Sequence, residues 1–137
     1  MEHVISTNLT GGVSVHQVCG PGHDRKIINI SSMYGALGNM YMPSSSYHAS
    51  KGAVNTFPRA VAAEWAMHNI TVNAIDGFFT SEMTGELLDL PEFERFLQHH
   101  CPMKRIVREG ELDGALLLLA CDASSYITGQ VPYVDGG

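Results

Sequence analysis

Two short runs rich in β-branched residues, Lys26-Ile27-Ile28-Asn29-Ile30 and Ile70-Thr71-Val72-Asn73-Ala74-Ile75, stand on either side of a longer stretch. That stretch, from Ser45 to about His68, has the apolar spacing of a helix, and Ser44 to Ser46 offer side chains able to cap its start. Near-continuous apolar runs of five or six residues mark strands buried on both faces. Two such strands joined through a helix form a parallel βαβ unit, because parallel neighbours need a crossover connection. Val131 to Val134 reads as a third strand, Glu111 to Cys121 as a short Leu-rich helix, and Pro91 to His100 as a further helical piece. Val4 to Val18 reads as a helix weakened by Gly11 and Gly12, and Gly20-Pro21-Gly22-His23-Asp24 is a strong breaker. Gly35 to Pro43 is a Gly- and Met-rich loop, and Asp76-Gly77 is expected to end the second strand. The fold class is therefore α/β.

With 137 residues the chain holds one modest domain. Its 45% hydrophobic and 16% charged residues are those of a globular protein. A net charge of −6 argues against nucleic acid or an anionic membrane as the main partner. Cys19, Cys101 and Cys121 are widely spaced and odd in number, which fits reduced thiols. The amino terminus has no basic region followed by an apolar stretch, and no apolar run approaches membrane length. A soluble, cytoplasmic protein is the expectation. His99-His100-Cys101 offers three adjacent metal-ligand types, but adjacent residues suit one tetrahedral site poorly, so no metal is expected.

The chemistry-bearing residues fall at the junctions of these elements. Tyr47 and Lys51 are four apart at the start of the long helix, so they share a face. A nearby cation favours phenolate, and a tyrosine so placed can act as general acid or base. By itself that spacing is common on exposed helices. Here the helix follows a buried strand that ends in Ser31-Ser32, and ligands bind at the carboxyl ends of strands in open α/β sheets. A serine there and a tyrosine at the amino end of the next helix can both reach one carbonyl or hydroxyl oxygen. Ser31, Asn29 and Asn73 are expected to satisfy backbone rather than to take part in chemistry. Met33, Tyr34, Met40, Tyr41 and Met42 follow the serine and either line a substrate or pack the loop.

On these residues the chain resembles the short-chain dehydrogenase/reductase family. The resemblance runs in order through Thr7-Asn8-Leu9-Thr10-Gly11, Ile27 to Ser32, Tyr47-His48-Ala49-Ser50-Lys51-Gly52-Ala53, Ile70 to Ile75, Ile127-Thr128-Gly129-Gln130 and Val134-Asp135-Gly136-Gly137. Its loops look most similar to family members that are gluconate 5-dehydrogenases or 3-oxoacyl-carrier-protein reductases. The resemblance implies nicotinamide-dependent hydride transfer between a carbonyl and an alcohol, with NAD or NADP as cofactor. It implies that Tyr47 is the acid/base and that Lys51 tunes it and holds the nicotinamide ribose. It also implies that Ser32, which directly precedes the loop Met33-Tyr34-Gly35, polarises the substrate oxygen, and that Asn8 holds a water relaying protons to Lys51. Gly77, Phe79 and Ser81 would lie along the nicotinamide. Three departures from the family pattern stand out. Asp76 replaces the proline of a Pro-Gly pair and would bring a carboxylate near an anionic cofactor. Ser81 replaces a threonine. Pro58 falls well inside the helix of Tyr47, where it is expected to kink the second half while leaving the first intact.

The resemblance covers the catalytic half of a Rossmann-like, doubly wound sheet: its last three strands and their helices, as one partial domain over residues 1–137. The Gly-rich phosphate-binding turn of the family has no counterpart in this sequence. The expectation is that the chain alone binds dinucleotide poorly, and that Ile27 to Ile30 forms an exposed apolar edge. A small carbonyl or alcohol is the implied substrate, and the helices carrying Asn8 and Tyr47 are the implied homo-oligomer surface. The alternative is a catalytically inactive, truncated fragment acting through oligomer-type association.

Overall fold

The computed structural model describes residues 2–10, 25–38, 43–78, 85 and 90–137. In chain order the elements are α1 (Glu2–Ile5), a π-helical turn (Ser6–Thr10), β1 (Arg25–Ile30), a 3₁₀ turn (Met33–Gly35) and α2 (Ser45–Trp65). A second 3₁₀ turn (Ala66–His68), β2 (Ile70–Gly77), α3 (Pro91–His100), α4 (Asp113–Ala120), a third 3₁₀ turn (Asp122–Ser124) and β3 (Tyr133–Val134) follow.

The three strands form one parallel sheet in the order β1-β2-β3. β1 pairs with β2 from Arg25↔Ile70 to Ile30↔Ile75. β2 is the buried centre. Ile70, Val72, Ala74 and Ile75 have almost no exposed surface, as expected of a strand covered on both faces. The core joins Ile70 and Val72 to Val61 and Ala62 of α2, with Ile27, Phe57 and Trp65 packed around them. β1 is an edge among the described strands, and Ile30 is 46% exposed, as the sequence led us to expect. Among the described residues no helix is long and apolar enough to cross a membrane.

Four sequence expectations need correction. The Asp76-Gly77 pair does not stop the strand at Ile75; β2 runs on through both residues, which pair with Tyr133 and Val134 of β3, and ends at Gly77. Pro58 does not spoil the second half of α2. The helix runs unbroken to Trp65, because Val61 and Ala62 are anchored against β2. The third strand is regular only at Tyr133–Val134. Before it, side chains take part in the ladder: Thr128 Oγ1 accepts from the Val72 amide at 3.0 Å, and Asn73 Oδ1 accepts from the Gln130 amide at 2.9 Å. Finally, α4 starts at Asp113 rather than Glu111. Glu111 is engaged elsewhere, its carboxylate accepting from the Arg108 amide at 2.6 Å and from both arms of the Arg105 guanidinium at 2.7 Å.

The long helix ends where expected, tightening into the 3₁₀ turn that closes at His68. Asn69 then takes a left-handed conformation (φ 56°), which lets the chain reverse directly into β2. The amino-terminal helix is regular only as far as Ile5 and then widens into the π turn that holds Asn8. The rest of the predicted Val4 to Val18 helix, the Gly20 to Asp24 breaker and Cys19 lie outside the described residues.

Candidate active site

Tyr47 and Lys51 occupy the first two turns of α2. The Lys51 Nζ lies 5.8 Å from the centre of the Tyr47 ring, so the amine and the phenol ring lie on one side of the helix. Lys51 reaches this place because its ammonium donates to the carbonyl oxygen of Ile30, the last residue of β1, at 3.1 Å. Burial pulls the Lys51 ammonium below the usual lysine range, a shift that a negative charge on Asp76 would oppose. The cap expected of Ser44 is not made to the first-turn amides; its hydroxyl lies 3.2 Å from His48 Nδ1 instead.

The segment after β1 is fastened to the same turn of helix. The Ser31 amide continues the ladder to the Ile75 carbonyl at 2.8 Å, and its hydroxyl donates to the Lys51 carbonyl at 3.4 Å. Ser31 is thus a backbone-satisfying residue, as expected. Ser32 is buried and opens the 3₁₀ turn, its Oγ accepting from the Tyr34 amide at 3.4 Å. Accepting that bond leaves the hydroxyl's own hydrogen as a donor. Gly35 closes the turn directly on α2. A Cβ there would lie 2.7 Å from the Lys51 carbonyl oxygen and 2.5 Å from Asn55 Nδ2. The serine loop and the helix of Tyr47 and Lys51 are therefore in backbone contact at the carboxyl end of the parallel strands.

Tyr34 sets its ring edge-on to Tyr47, with centres 6.5 Å apart, and packs against His48 at 5.0 Å. Burial, and then the neighbouring Tyr47, push the Tyr34 phenol above the usual tyrosine range. Asn8 does not touch this group directly. Its Nδ2 donates to Ser50 Oγ at 3.1 Å, and Ser50 donates in turn to the Tyr47 carbonyl at 2.7 Å. The π turn is thereby tied to the first turns of α2, which carry Tyr47 and Lys51.

Gly77 is buried at the end of β2. Phe79, Ser81, Met40, Tyr41 and Met42 lie outside the described residues. A cavity of about 220 Å³ opens beside the serine loop, lined by Met33, Phe78, Phe96, His100, Cys101 and Asp135 among others. His100 and Cys101 are used structurally: His100 stacks on Phe96 at 5.0 Å, and the Cys101 thiol donates to the Arg105 carbonyl at 3.3 Å. Asn29 and Asn73 serve the backbone, donating to the carbonyls of Asn73 and Ile127. Sequence reasoning gave no role to Tyr34 beyond the loop and none to Asn55. Asn55 sits two turns beyond Tyr47, where only the contact with Gly35 and the burial of Asp76 reveal it.

The family model described as enoyl-(acyl carrier protein) reductase matches residues 1–137. The chain belongs to the short-chain dehydrogenase/reductase family. It is 45% identical over 81% of its length to galactitol 2-dehydrogenase (L-tagatose-forming) of Cereibacter sphaeroides, covering 44% of that protein. It is 41% identical over 82% of its length to 5-keto-D-gluconate 5-reductase of Escherichia coli K12, again covering 44% of the relative. The crystal structure of a gluconate 5-dehydrogenase from Burkholderia cenocepacia, in complex with NADP and tartrate, superimposes with a TM-score of 0.76 at 31% identity. That match covers 99% of this chain and 47% of the other. The chain thus spans about half the length of the family members it matches, and its α/β sheet is that of their Rossmann-like fold.

Proposed function

We propose that this chain carries the acid/base half of an NAD(P)-dependent short-chain dehydrogenase/reductase acting on a small carbonyl or alcohol. The observation that carries the reading is the Lys51 ammonium, tethered to the end of β1 and 5.8 Å from the Tyr47 ring. Tyr47 gives its phenolic proton to the substrate oxygen in reduction and takes it back in oxidation. Ser32 donates a hydrogen bond to the same oxygen as negative charge develops on it. Lys51 favours the phenolate by its charge, and Asn8 braces the helix turn through Ser50 and leads protons toward Lys51 through water.

The nicotinamide, when bound, supplies or accepts the hydride. The residues present fit its reactive end. An ammonium has three donors and a single carbonyl takes one of them here, while Gly77 ends a buried strand where dinucleotides meet such sheets. Gly77, with Phe79 and Ser81, would line that end of the cofactor. The relatives' names favour a polyol or sugar-acid substrate.

Kinetics of the protein that carries this chain test the reading, with NADPH or NADH and 5-keto-D-gluconate. Tyr47→Phe lowers kcat by about a hundredfold or more with the fold intact; retained turnover removes the phenol from the mechanism. Calorimetric titration of the 137-residue chain with NAD(H) and NADP(H) addresses binding by the chain alone. Weak or no binding fits the absence of a Gly-rich turn from its sequence.

A second reading, association without catalysis, draws on the apolar side chains that α4 exposes at Leu116, Leu117 and Leu118, and on Ile30 at the β1 edge. Analytical ultracentrifugation of the chain distinguishes a monomer from an oligomer joined through these faces or through the helices of Asn8 and Tyr47.

A further inference from the structure

Asp76 has no exposed surface, and Asn55 opposite it on α2 is 7% exposed. Their side chains meet through one bond, Asn55 Nδ2 donating to Asp76 Oδ2 at 3.0 Å. Among the described residues the remaining oxygen of each group, Asp76 Oδ1 and Asn55 Oδ1, is buried without a hydrogen-bond partner. Two orphaned acceptors on the two members of one bonded pair are costly to bury, and a single added hydrogen satisfies both. A carboxylic acid and a primary amide close a two-bond ring in this way: the amide N–H donates to one acid oxygen while the acid O–H donates to the amide oxygen.

We infer that Asp76 is held as a neutral carboxylic acid, doubly hydrogen-bonded to Asn55, beneath the candidate active site. The polar neighbours divide: Asp135 favours the neutral acid, whereas the Asn55 amide, the Gly77 amide and the Lys51 charge favour the carboxylate. Lys51 on α2 faces Asp76 but directs its ammonium to the Ile30 carbonyl, Asp135 after β3 presents a second acid, and the Gly77 amide lies against the carboxyl from its own strand. Burial, the largest influence, and then the charge of Asp135 push the Asp76 carboxyl above the usual aspartate range, against the pull of Asn55, the Gly77 amide and Lys51. Asp76 is then a positioning residue. Uncharged, it ties β2 to α2 without neutralising the Lys51 ammonium and without setting a negative charge beside an anionic cofactor. It thereby resolves the conflict raised by an aspartate in the family's proline position.

The inference stands apart from the proposed reaction, because its test needs only the folded 137-residue chain. Asp76→Asn reproduces the acid's hydrogen-bonding pattern without its proton, since the new amide donates to Asn55 Oδ1 and accepts from Nδ2. Between the ordinary aspartate value of 3.8 and its raised value, the folded protein holds a proton that the unfolded chain releases. Wild-type stability therefore falls relative to Asp76→Asn as pH rises through that window. The expected result is a variant with a higher urea midpoint than wild type at neutral pH and an equal one near pH 4. An Asp76→Asn variant that loses stability selectively at neutral pH would show an ionised aspartate paired with Lys51 and overturn the inference. The infrared spectrum of the wild-type chain decides if the variant fails to fold or the two readouts disagree. A protonated-carboxyl band persisting at neutral pH supports the acid, and its absence refutes it.

Discussion

The β1–α2–β2 unit and the carboxyl-terminal region around α3 and α4 are held by different forces. In the first, every contact involves backbone: Gly35 against the Lys51 carbonyl, the Ser31 amide against the Ile75 carbonyl, and the Ile30 carbonyl against the Lys51 ammonium, all over a core of Val61, Ala62, Ile70 and Val72. In the second, α3 has no buried residue, α4 buries only Leu119 and exposes three leucines, and the bend between them is fixed by the two-armed Arg105–Glu111 ion pair. The contrast teaches where precision is spent. The unit that positions the Tyr47 phenol, the Lys51 amine and the Ser32 hydroxyl is the more tightly fastened one, whereas the other frames a cavity.

The contrast can be broken first at the core. Ile75→Ala removes a side chain that is 1% exposed and is expected to cost about 2–5 kcal/mol in urea unfolding. Leu117→Ala, at a side chain 66% exposed, stays within about 0.5 kcal/mol. Equal losses would erase the distinction between the two regions. A smaller effect is expected from Gly35→Ala, whose methyl group has nowhere to go beside the Lys51 carbonyl and Asn55. About 1–3 kcal/mol of stability is lost, together with the edge-on Tyr34–Tyr47 contact, readable by NMR of the ring protons.

The least effect, on the other region, is an acid one. Arg105, then the Arg108 amide, hold the Glu111 carboxyl down at about 2, from an ordinary 4.5. A depressed carboxylate contributes stability above its ordinary value and loses it as pH falls toward the folded one. The thermal-midpoint advantage of wild type over Glu111→Gln should therefore shrink below pH 4.5 and vanish near pH 2. A gap that is flat with pH would mean that the exposed pair adds nothing.

Much of this was legible in the chain itself. The β-branched runs announced β1 and β2, although only β2 is buried on both faces and β1 has no buried residue, and Pro91 announced the start of α3 by fitting the first helical position. That Tyr47 and Lys51 share one side of α2 was readable from their spacing, and a serine at the end of β1 from the strand before it, whereas the choice of Ser32 came from the family resemblance. What stayed hidden was tertiary. Ahead of the short β3, Thr128 and Asn73 side chains supplement the backbone bonds to β2, and the helix beyond Pro58 packs on Ile70 and Val72, 12 and 14 positions further along the chain. Asp76 was visible as an oddity, but its partner Asn55 lies 21 positions earlier, a separation that no local pattern encodes.

The tether from Lys51 to the last carbonyl of β1 has one more implication. Sliding β1 by a single residue against β2 would carry that oxygen along the sheet by about 3.3 Å and turn it to the strand's opposite edge, away from the ammonium. Strand alignment and the approach of Lys51 to Tyr47 are thus a single event, so a misaligned molecule would also lack the proposed acid/base pair.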